Sequence, residues 1–208
     1  GILTNGLLKS NQIWVTNRSN RGKLQNMKNN YKVNISADKE TVLKDATIII
    51  LAVKPKDARD SLKTIANFID EKAIIVSVLA GIPIHYIAKQ LPFANAIVRA
   101  MPNTSATVGQ SATALSKGPH TSNNDIEKVS ALFSAIGTVS VVDEEQLHQI
   151  TALSGSGPAF IYYMAEAFEE IASEWGLDQS LVKELIKQTF TGAAEMMKQT
   201  TDSPEVLR

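Results

Sequence analysis

Apolar runs and helical periodicity alternate along the first part of the chain. Runs of mostly β-branched residues cover residues 47–53, 73–79 and 96–101, and each ends in a short loop. A strand that is apolar on both faces is typical of a parallel sheet covered by helices on both sides. Residues 47–53 therefore predict a central parallel strand. Further strands are predicted over residues 12–16, 32–35 and 138–142.

Segments with helical periodicity separate and follow these strands. They cover residues 38–44, 56–68, 84–90 and 125–136, and residues 1–10 predict a helix already under way. Residues 20–30 are basic and polar and form either a helix or a loop. From residue 144 onward the pattern contains no strand, and predicts only helices over residues 146–154, 158–175 and 180–198. We therefore expect an α/β domain with a mainly parallel sheet over residues 1–143, followed by an all-helical domain over residues 144–208.

The helix predicted over residues 158–175 has a broad apolar face. It carries Phe160, Met164, Ala167, Phe168 and Ile171. Such a face packs either against another subunit or against the rest of its own domain, and the pattern is compatible with both. A homodimer is the expectation.

Composition narrows the class of partner. The chain has 208 residues, of which 44% are hydrophobic, and its 21 basic and 21 acidic residues balance. No overall field attracts nucleic acid or an anionic membrane, so we expect a small-molecule partner. The chain lacks cysteine, and His85, His120 and His148 have no ligand spacing, so no metal site is expected. No apolar run is long enough to span a bilayer, and we expect a cytoplasmic protein.

The loops after the predicted parallel strands are the first candidate site. Ligands bind to open α/β sheets beyond the carboxyl ends of the strands. The loop residues in question are Ala52, Val53, Lys54 and Pro55 after the first run, Ala80 and Gly81 after the second, and Met101, Pro102 and Asn103 at the end of the third. Small residues let a flat ring approach the backbone. The alternative is ordinary strand-to-helix turns, in which Lys54 is a solvated charge and Pro55 opens the next helix.

The turn after the strand at residues 12–16 indicates which dinucleotide is bound. Asn17, Arg18 and Ser19 follow this strand, and none of them is acidic. In nucleotide-binding sheets a carboxylate here binds a free 2′-hydroxyl, whereas arginine and hydroxyl groups suit a 2′-phosphate. The turn therefore favours NADP, with an ordinary surface turn as the alternative.

Two glycines interrupt the helical part of the chain. Gly155 and Gly157 lie among small residues just before Pro158. Each costs roughly 1 kcal/mol in a helix relative to alanine, so the pair indicates either close packing or a ligand at exposed N–H groups. We favour close packing of helices.

A set of motifs, taken together, resembles one enzyme family. The order ILAVKP (50–55), AGI (80–82), RAMPNT (99–104), TALSGSGPAF (151–160) and SPEVLR (203–208) is similar to that of pyrroline-5-carboxylate reductase. The resemblance implies a Rossmann domain, a helical dimerisation domain, and dimers or larger rings of dimers. It also implies hydride transfer from NADPH, or less favourably NADH, to an imine, which gives L-proline.

The resemblance also implies roles for the candidate residues. Asn17, Arg18 and Ser19 would contact the ribose phosphate, and Asp38 stands where some relatives use asparagine for an adenosine-ribose contact. Residues 52–55 would border the dinucleotide, and Ala80 and Gly81 would form part of the nicotinamide floor, with residues 101–103 beside it.

Two features of the family are expected outside residues 1–208. The first strand of the Rossmann domain and a glycine-rich turn for the pyrophosphate would precede Gly1. A Ser-Pro-Gly-Gly-Thr segment that meets the substrate would follow Arg208, so we expect the helical domain to be incomplete within these residues. The catalytic residues are therefore unknown. Two alternatives stay open: a non-catalytic dinucleotide-binding or dimerisation module, and a related dehydrogenase of 3-hydroxy acids. The helix over residues 158–175 lacks the lysine on which such dehydrogenases usually rely.

Overall fold

The computed structural model describes all residues from Gly1 to Arg208. They form two compact units, Gly1–Ser156 and Gly157–Arg208. All strands belong to the first unit, and the second is entirely helical. The predicted fold class, a mainly parallel α/β domain followed by a helical region, is confirmed. The domain boundary at residue 143 stays a prediction.

The strands form two separate sheets. A two-stranded parallel sheet pairs β1 with β2, and a five-stranded sheet has the order β3-β4-β5-β6-β7, in which only β5 and β6 are antiparallel neighbours. The strands are β1 (Trp14–Val15), β2 (Asn34–Ile35), β3 (Ile48–Leu51), β4 (Ile74–Ser77), β5 (Ile97–Met101), β6 (Ser111–Lys117) and β7 (Gly137–Val141).

Apart from the short last helix, which the sequence does not predict, the α-helices begin and end close to the predicted positions. The α-helices are α1 (Arg21–Tyr31), α2 (Lys39–Leu43), α3 (Ala58–Ile65), α4 (Ile84–Ala88), α5 (Asn123–Ser134), α6 (Leu147–Ile150), α7 (Gly157–Glu174), α8 (Gln179–Gln199) and α9 (Pro204–Leu207). Short 3-10 helices cover Ser10–Gln12, Pro55–Asp57, Ala66–Phe68, Thr104–Val108 and Glu144–Gln146, and a π-helical turn covers Thr151–Gly155.

The core of the first unit lies on both faces of the larger sheet. On one face, Ile75 of β4 packs with side chains from α2, α3 and α4. On the other face, Ile74 and Val76 of the same strand pack with α5. Every residue of β4 is buried, so this strand has the two covered faces that its apolar sequence predicts.

The strand predicted over residues 47–53 forms as β3, but within residues 1–208 it does not take the predicted central position. β3 pairs with β4 only, so it lies at the edge of the larger sheet. Ile49 and Leu51 point into the core, whereas Ile50 is 44% exposed.

The prediction of a helix over residues 1–10 was also wrong in extent. Residues 1–7 form a single closed turn, in which the Asn5 N–H donates to the Gly1 carbonyl at 2.9 Å. Gly6 then adopts a φ of 66°, and the Leu7 N–H donates to the Ile2 carbonyl at 3.1 Å. This is a Schellman termination, which needs glycine for its left-handed conformation.

β6 was not predicted. Its sequence, SATALSK, is rich in small and polar residues, yet most of the strand is buried between β5 and β7. Small residues carry little strand signal, so the inner position of β6 depends on its neighbours and not on its own propensity.

The second unit consists of α7, α8 and α9. The Phe168 ring of α7 stacks on the Phe190 ring of α8, with 6.0 Å between centroids. Much of the apolar face of α7 is exposed, since Phe160, Met164, Phe168 and Ile171 keep 66, 48, 45 and 43% of their surface accessible. None of the helices combines the length and apolarity that crossing a lipid bilayer requires.

Candidate functional site

The candidate site begins at the shared edge where three parallel strands end. Leu51 of β3 pairs with Ser77 of β4, which pairs with Arg99 of β5. The loops that follow these strands therefore leave the sheet side by side. Ala52, Val53, Lys54 and Pro55 are all exposed there, and Pro55 opens a 3-10 helix at its first position.

Gly81 provides an open surface on the second of these loops. Ala80 and Gly81 are exposed, and Gly81 has a φ of 75°, a conformation that side chains other than glycine rarely adopt. A Cβ placed on Gly81 would meet no atom within 4 Å. The turn therefore leaves room above the backbone for a flat group.

Asn103 ties the third loop to two other segments. Its N–H donates to the Ser111 Oγ at 3.1 Å, and its Nδ2 donates to the Ser154 carbonyl at 3.1 Å. Its Oδ1 accepts from the Ser105 N–H at 3.1 Å. Met101, Pro102 and Asn103 are half-buried. The Asn103 side chain is thus occupied in fixing the loop.

Gly155 lies against this third loop. A Cβ at Gly155 would lie 3.0 Å from the Met101 Cε, whereas a Cβ at Gly157 would meet nothing within 4 Å. The sequence predicts close packing of helices for both glycines. The close approach of Gly155 is instead to the end of β5, and no close contact accounts for Gly157.

The turn after β1 presents a guanidinium group to solvent. The Asn17 Nδ2 donates to the Asn20 carbonyl at 2.7 Å, which closes the turn. The Arg18 side chain is 82% exposed, and its Nη1 lies 3.4 Å from the Asp57 Oδ1. Ser19 is exposed beside it. Asp57 is a partner that the sequence did not reveal, since it follows β3 and not β1.

Asp38 serves as the N-cap of α2. Its Oδ2 accepts from the Thr41 N–H at 2.9 Å and also from the Thr41 hydroxyl. These bonds, that of the hydroxyl first, hold the pKa of the Asp38 carboxyl below its usual value. The neighbouring Lys39, another residue that sequence reasoning missed, reaches back to the end of β1.

A partly buried ion pair supports the loop that contains Gly81. Arg99 of β5 is 5% exposed, and its Nη1 donates to the Glu144 Oε1 at 2.8 Å. The same oxygen accepts from the Ile84 N–H, at the start of α4, at 2.7 Å. A cavity of about 670 Å³ adjoins the pair, and it is lined by Pro83, His85, Arg99, Asp143, Glu144, Glu145 and His148.

These surroundings suit an NADP molecule. The turn of Asn17, Arg18 and Ser19 offers a guanidinium, a hydroxyl and backbone N–H groups, and this donor set suits a phosphate. Gly81 leaves an uncovered surface at the neighbouring strand ends. No cluster of three or more histidine, cysteine or acidic side chains is arranged to hold a metal ion.

Comparison with family models matches both parts of the chain. Residues 144–208 match the family described as pyrroline-5-carboxylate reductase dimerisation. Residues 1–81 match the family described as NADP oxidoreductase, coenzyme F420-dependent. A dinucleotide-dependent oxidoreductase domain and a dimerisation domain are therefore combined in one chain.

Individual relatives share this architecture over the whole chain. Pyrroline-5-carboxylate reductase 2 of Bacillus subtilis is 42% identical over 212 residues, which cover 100% of this chain and 74% of the relative. The solved reductase of Coxiella burnetii has a TM-score of 0.90 and 35% identity, over 100% of this chain and 77% of that one. The Plasmodium falciparum reductase, solved with NADP bound, has a TM-score of 0.88 and 26% identity, over 99 and 75%. The chain belongs to the pyrroline-5-carboxylate reductase family.

Proposed function

We propose that the protein reduces Δ1-pyrroline-5-carboxylate to L-proline, with NADPH as the preferred reductant. The observation that carries the proposal is the 42% identity to a named reductase over the full length of this chain. The edge formed by β3, β4 and β5 supports it, because this is where an open α/β sheet binds a dinucleotide.

The chain's own residues would bind and orient the two reactants. Asn17, Arg18 and Ser19 would hold the 2′-phosphate, and Ala52, Val53, Lys54 and Pro55 would border the dinucleotide. Ala80 and Gly81 would support the nicotinamide, with Met101, Pro102 and Asn103 beside it. Asp38 would stabilise the start of α2 near the adenosine ribose. Asn103 would act by fixing its loop, since its side chain is bonded within the chain.

The chemistry requires little from acidic or basic side chains. The bound dinucleotide supplies a hydride from C4 of its nicotinamide to C5 of the imine. A protonated imine is already electrophilic, so orientation and the exclusion of water provide most of the acceleration. His148, which is exposed, has no proton-transfer role in this scheme.

We further propose that the protein acts in the cytoplasm as a homodimer or a ring of dimers. The match of residues 144–208 to the dimerisation family supports the assembly. The exposed apolar face of α7 gives it a physical basis, because burying such a face stabilises association. The absence of cysteine is compatible with a reducing compartment.

Initial rates with pyrroline-5-carboxylate and either NADPH or NADH test the proposal. Arg18→Ala should weaken NADPH binding and leave NADH binding nearly unchanged. Arg21→Ala, which removes an exposed arginine on α1, is the matched control. A protein that binds the dinucleotides but never forms proline would contradict the proposed activity, and equal losses for the two cofactors would contradict the role of Arg18.

A further inference from the structure

We infer that Lys39 is a positioning residue that gives the protein its preference for a 2′-phosphorylated cofactor. The inference rests on the proposed function, because it assigns the 2′-phosphate to the turn of Asn17, Arg18 and Ser19. Lys39 would act on this turn from a different strand-helix connection, through hydrogen bonds to the base of the turn.

The two short parallel strands bring the two connections together. β1 and β2 pair in register, Trp14 with Asn34 and Val15 with Ile35. Their carboxyl ends are therefore adjacent, and Lys39 is the first residue of the helix that follows β2. Its half-buried side chain crosses between the two ends.

The Lys39 ammonium has an acceptor for each of its three N–H groups. Its Nζ lies 2.6 Å from the Thr16 Oγ1 and 3.0 Å from the Asn17 carbonyl oxygen, both at the end of β1. The third acceptor is the Ala37 carbonyl oxygen, at 3.4 Å, in the connection after β2. No N–H remains for a ligand, so Lys39 acts by joining the two connections.

These bonds complete the support of the Arg18 turn. On one side the Asn17 Nδ2 is bonded to the Asn20 carbonyl, and on the other the Asn17 carbonyl is bonded to Lys39. The base of the turn is thus fixed at both ends. Arg18 and Ser19 are exposed between them, available to a phosphate.

Two carboxylates lie close to the cations of this region. Asp57 faces Arg18 at 3.4 Å, and Asp38 is the neighbour of Lys39. These carboxylates reduce the local positive charge, so discrimination between a phosphate and a hydroxyl depends also on holding the donors of the turn in place. A fixed turn loses less conformational entropy on binding than a loose one.

Equilibrium dissociation constants of NADPH and NADH, measured by ligand fluorescence, test the inference. Lys39→Met keeps the length of the side chain and removes the ammonium. We expect it to weaken NADPH binding roughly tenfold, the effect of losing hydrogen bonds to a charged group, and to change NADH binding less than about twofold. Lys44→Met, an exposed lysine just after the same helix, should change neither.

A second variant separates positioning from charge. Thr16→Val removes one acceptor of Lys39 and leaves every charge in place. It should also weaken NADPH binding selectively, by a smaller factor. No selective effect of Thr16→Val, or equal losses of both cofactors in Lys39→Met, would overturn the inference.

Binding of 2′,5′-ADP and 5′-AMP confines the readout to the adenosine end of the cofactor. Lys39→Met should lower the affinity for 2′,5′-ADP and leave the affinity for 5′-AMP unchanged. If the wild type binds NADPH selectively but never forms proline, the proposed activity is refuted. The inference still stands in that case, provided that Lys39→Met loses the selectivity for NADPH. A wild type with no preference between the two dinucleotides would overturn the inference while leaving the reductase activity intact.

Discussion

Replacing Glu144 by glutamine should destabilise the protein by about 2–3 kcal/mol. Removing one partner of a buried ion pair typically costs about 3–5 kcal/mol, because the other charge stays buried without compensation. Here the Arg99 side chain is 7% exposed and the Glu144 side chain 30% exposed. Water reaches the carboxylate end of the pair, so we expect a value below the usual range.

Glutamine keeps the shape of the side chain and one amide oxygen that can accept the Ile84 N–H. Glu144→Ala removes this acceptor as well. The alanine variant should therefore lose about 1 kcal/mol more than the glutamine variant, the typical net value of one hydrogen bond. The loop that contains Gly81 precedes Ile84, so the alanine variant should also weaken binding of the dinucleotide.

Urea unfolding at a fixed protein concentration gives these free energies, and the fixed concentration keeps the contribution of subunit association constant. A double-mutant cycle with Arg99→Met isolates the interaction of the pair. The double variant combines Glu144→Gln with Arg99→Met. We expect its loss of stability to be smaller than the sum of the two single losses by about 1.5 kcal/mol or more, because no unpaired charge is left in it. A coupling energy below about 0.5 kcal/mol would refute the ion pair as the source of the loss.

Three further predictions concern the cofactor turn, the subunit interface and a helix start. Asp57→Asn should tighten NADPH binding, since it removes the carboxylate beside Arg18. It should change the free energy of unfolding by less than about 1 kcal/mol, as expected for an exposed pair. An unchanged NADPH dissociation constant would contradict the prediction. Phe160→Glu should yield monomers or insoluble protein, because Phe160 is 66% exposed on the apolar face of α7. A soluble dimer of this variant in light scattering would disprove the placement of Phe160 in the subunit interface. Ser122→Ala should cost about 1 kcal/mol in urea unfolding at neutral pH, since Ser122 caps α5 in a capping box with Asp125. The hydrogen bond from the Ser122 hydroxyl is the main cause that lowers the pKa of the Asp125 carboxyl below its usual value. The stabilisation by the capping box is thus fully present above the usual carboxyl pKa and is lost as pH falls through the lower folded-state pKa. The difference in unfolding free energy between wild type and Ser122→Ala should therefore shrink in acid. A difference that stays constant with pH would contradict this linkage.

Local features of the chain determined much of the fold and the outline of the site. The apolar runs identified β3, β4 and β5, because a buried strand needs side chains that water does not solvate. The Asp38 carboxylate caps α2 through an interaction that spans only three residues, so this contact depends on the local sequence alone. The loops after the three strands were predicted at one edge because parallel strands end together.

Tertiary structure decided which residues support that site. Lys39 reaches Thr16 across 23 residues, Arg18 meets Asp57 across 39, and Arg99 meets Glu144 across 45. No periodicity or spacing encodes such pairs, because they depend on how strands and helices are placed after folding. The same reason explains β6: its small residues give little strand signal, and only its pairing with β5 and β7 puts it inside the sheet.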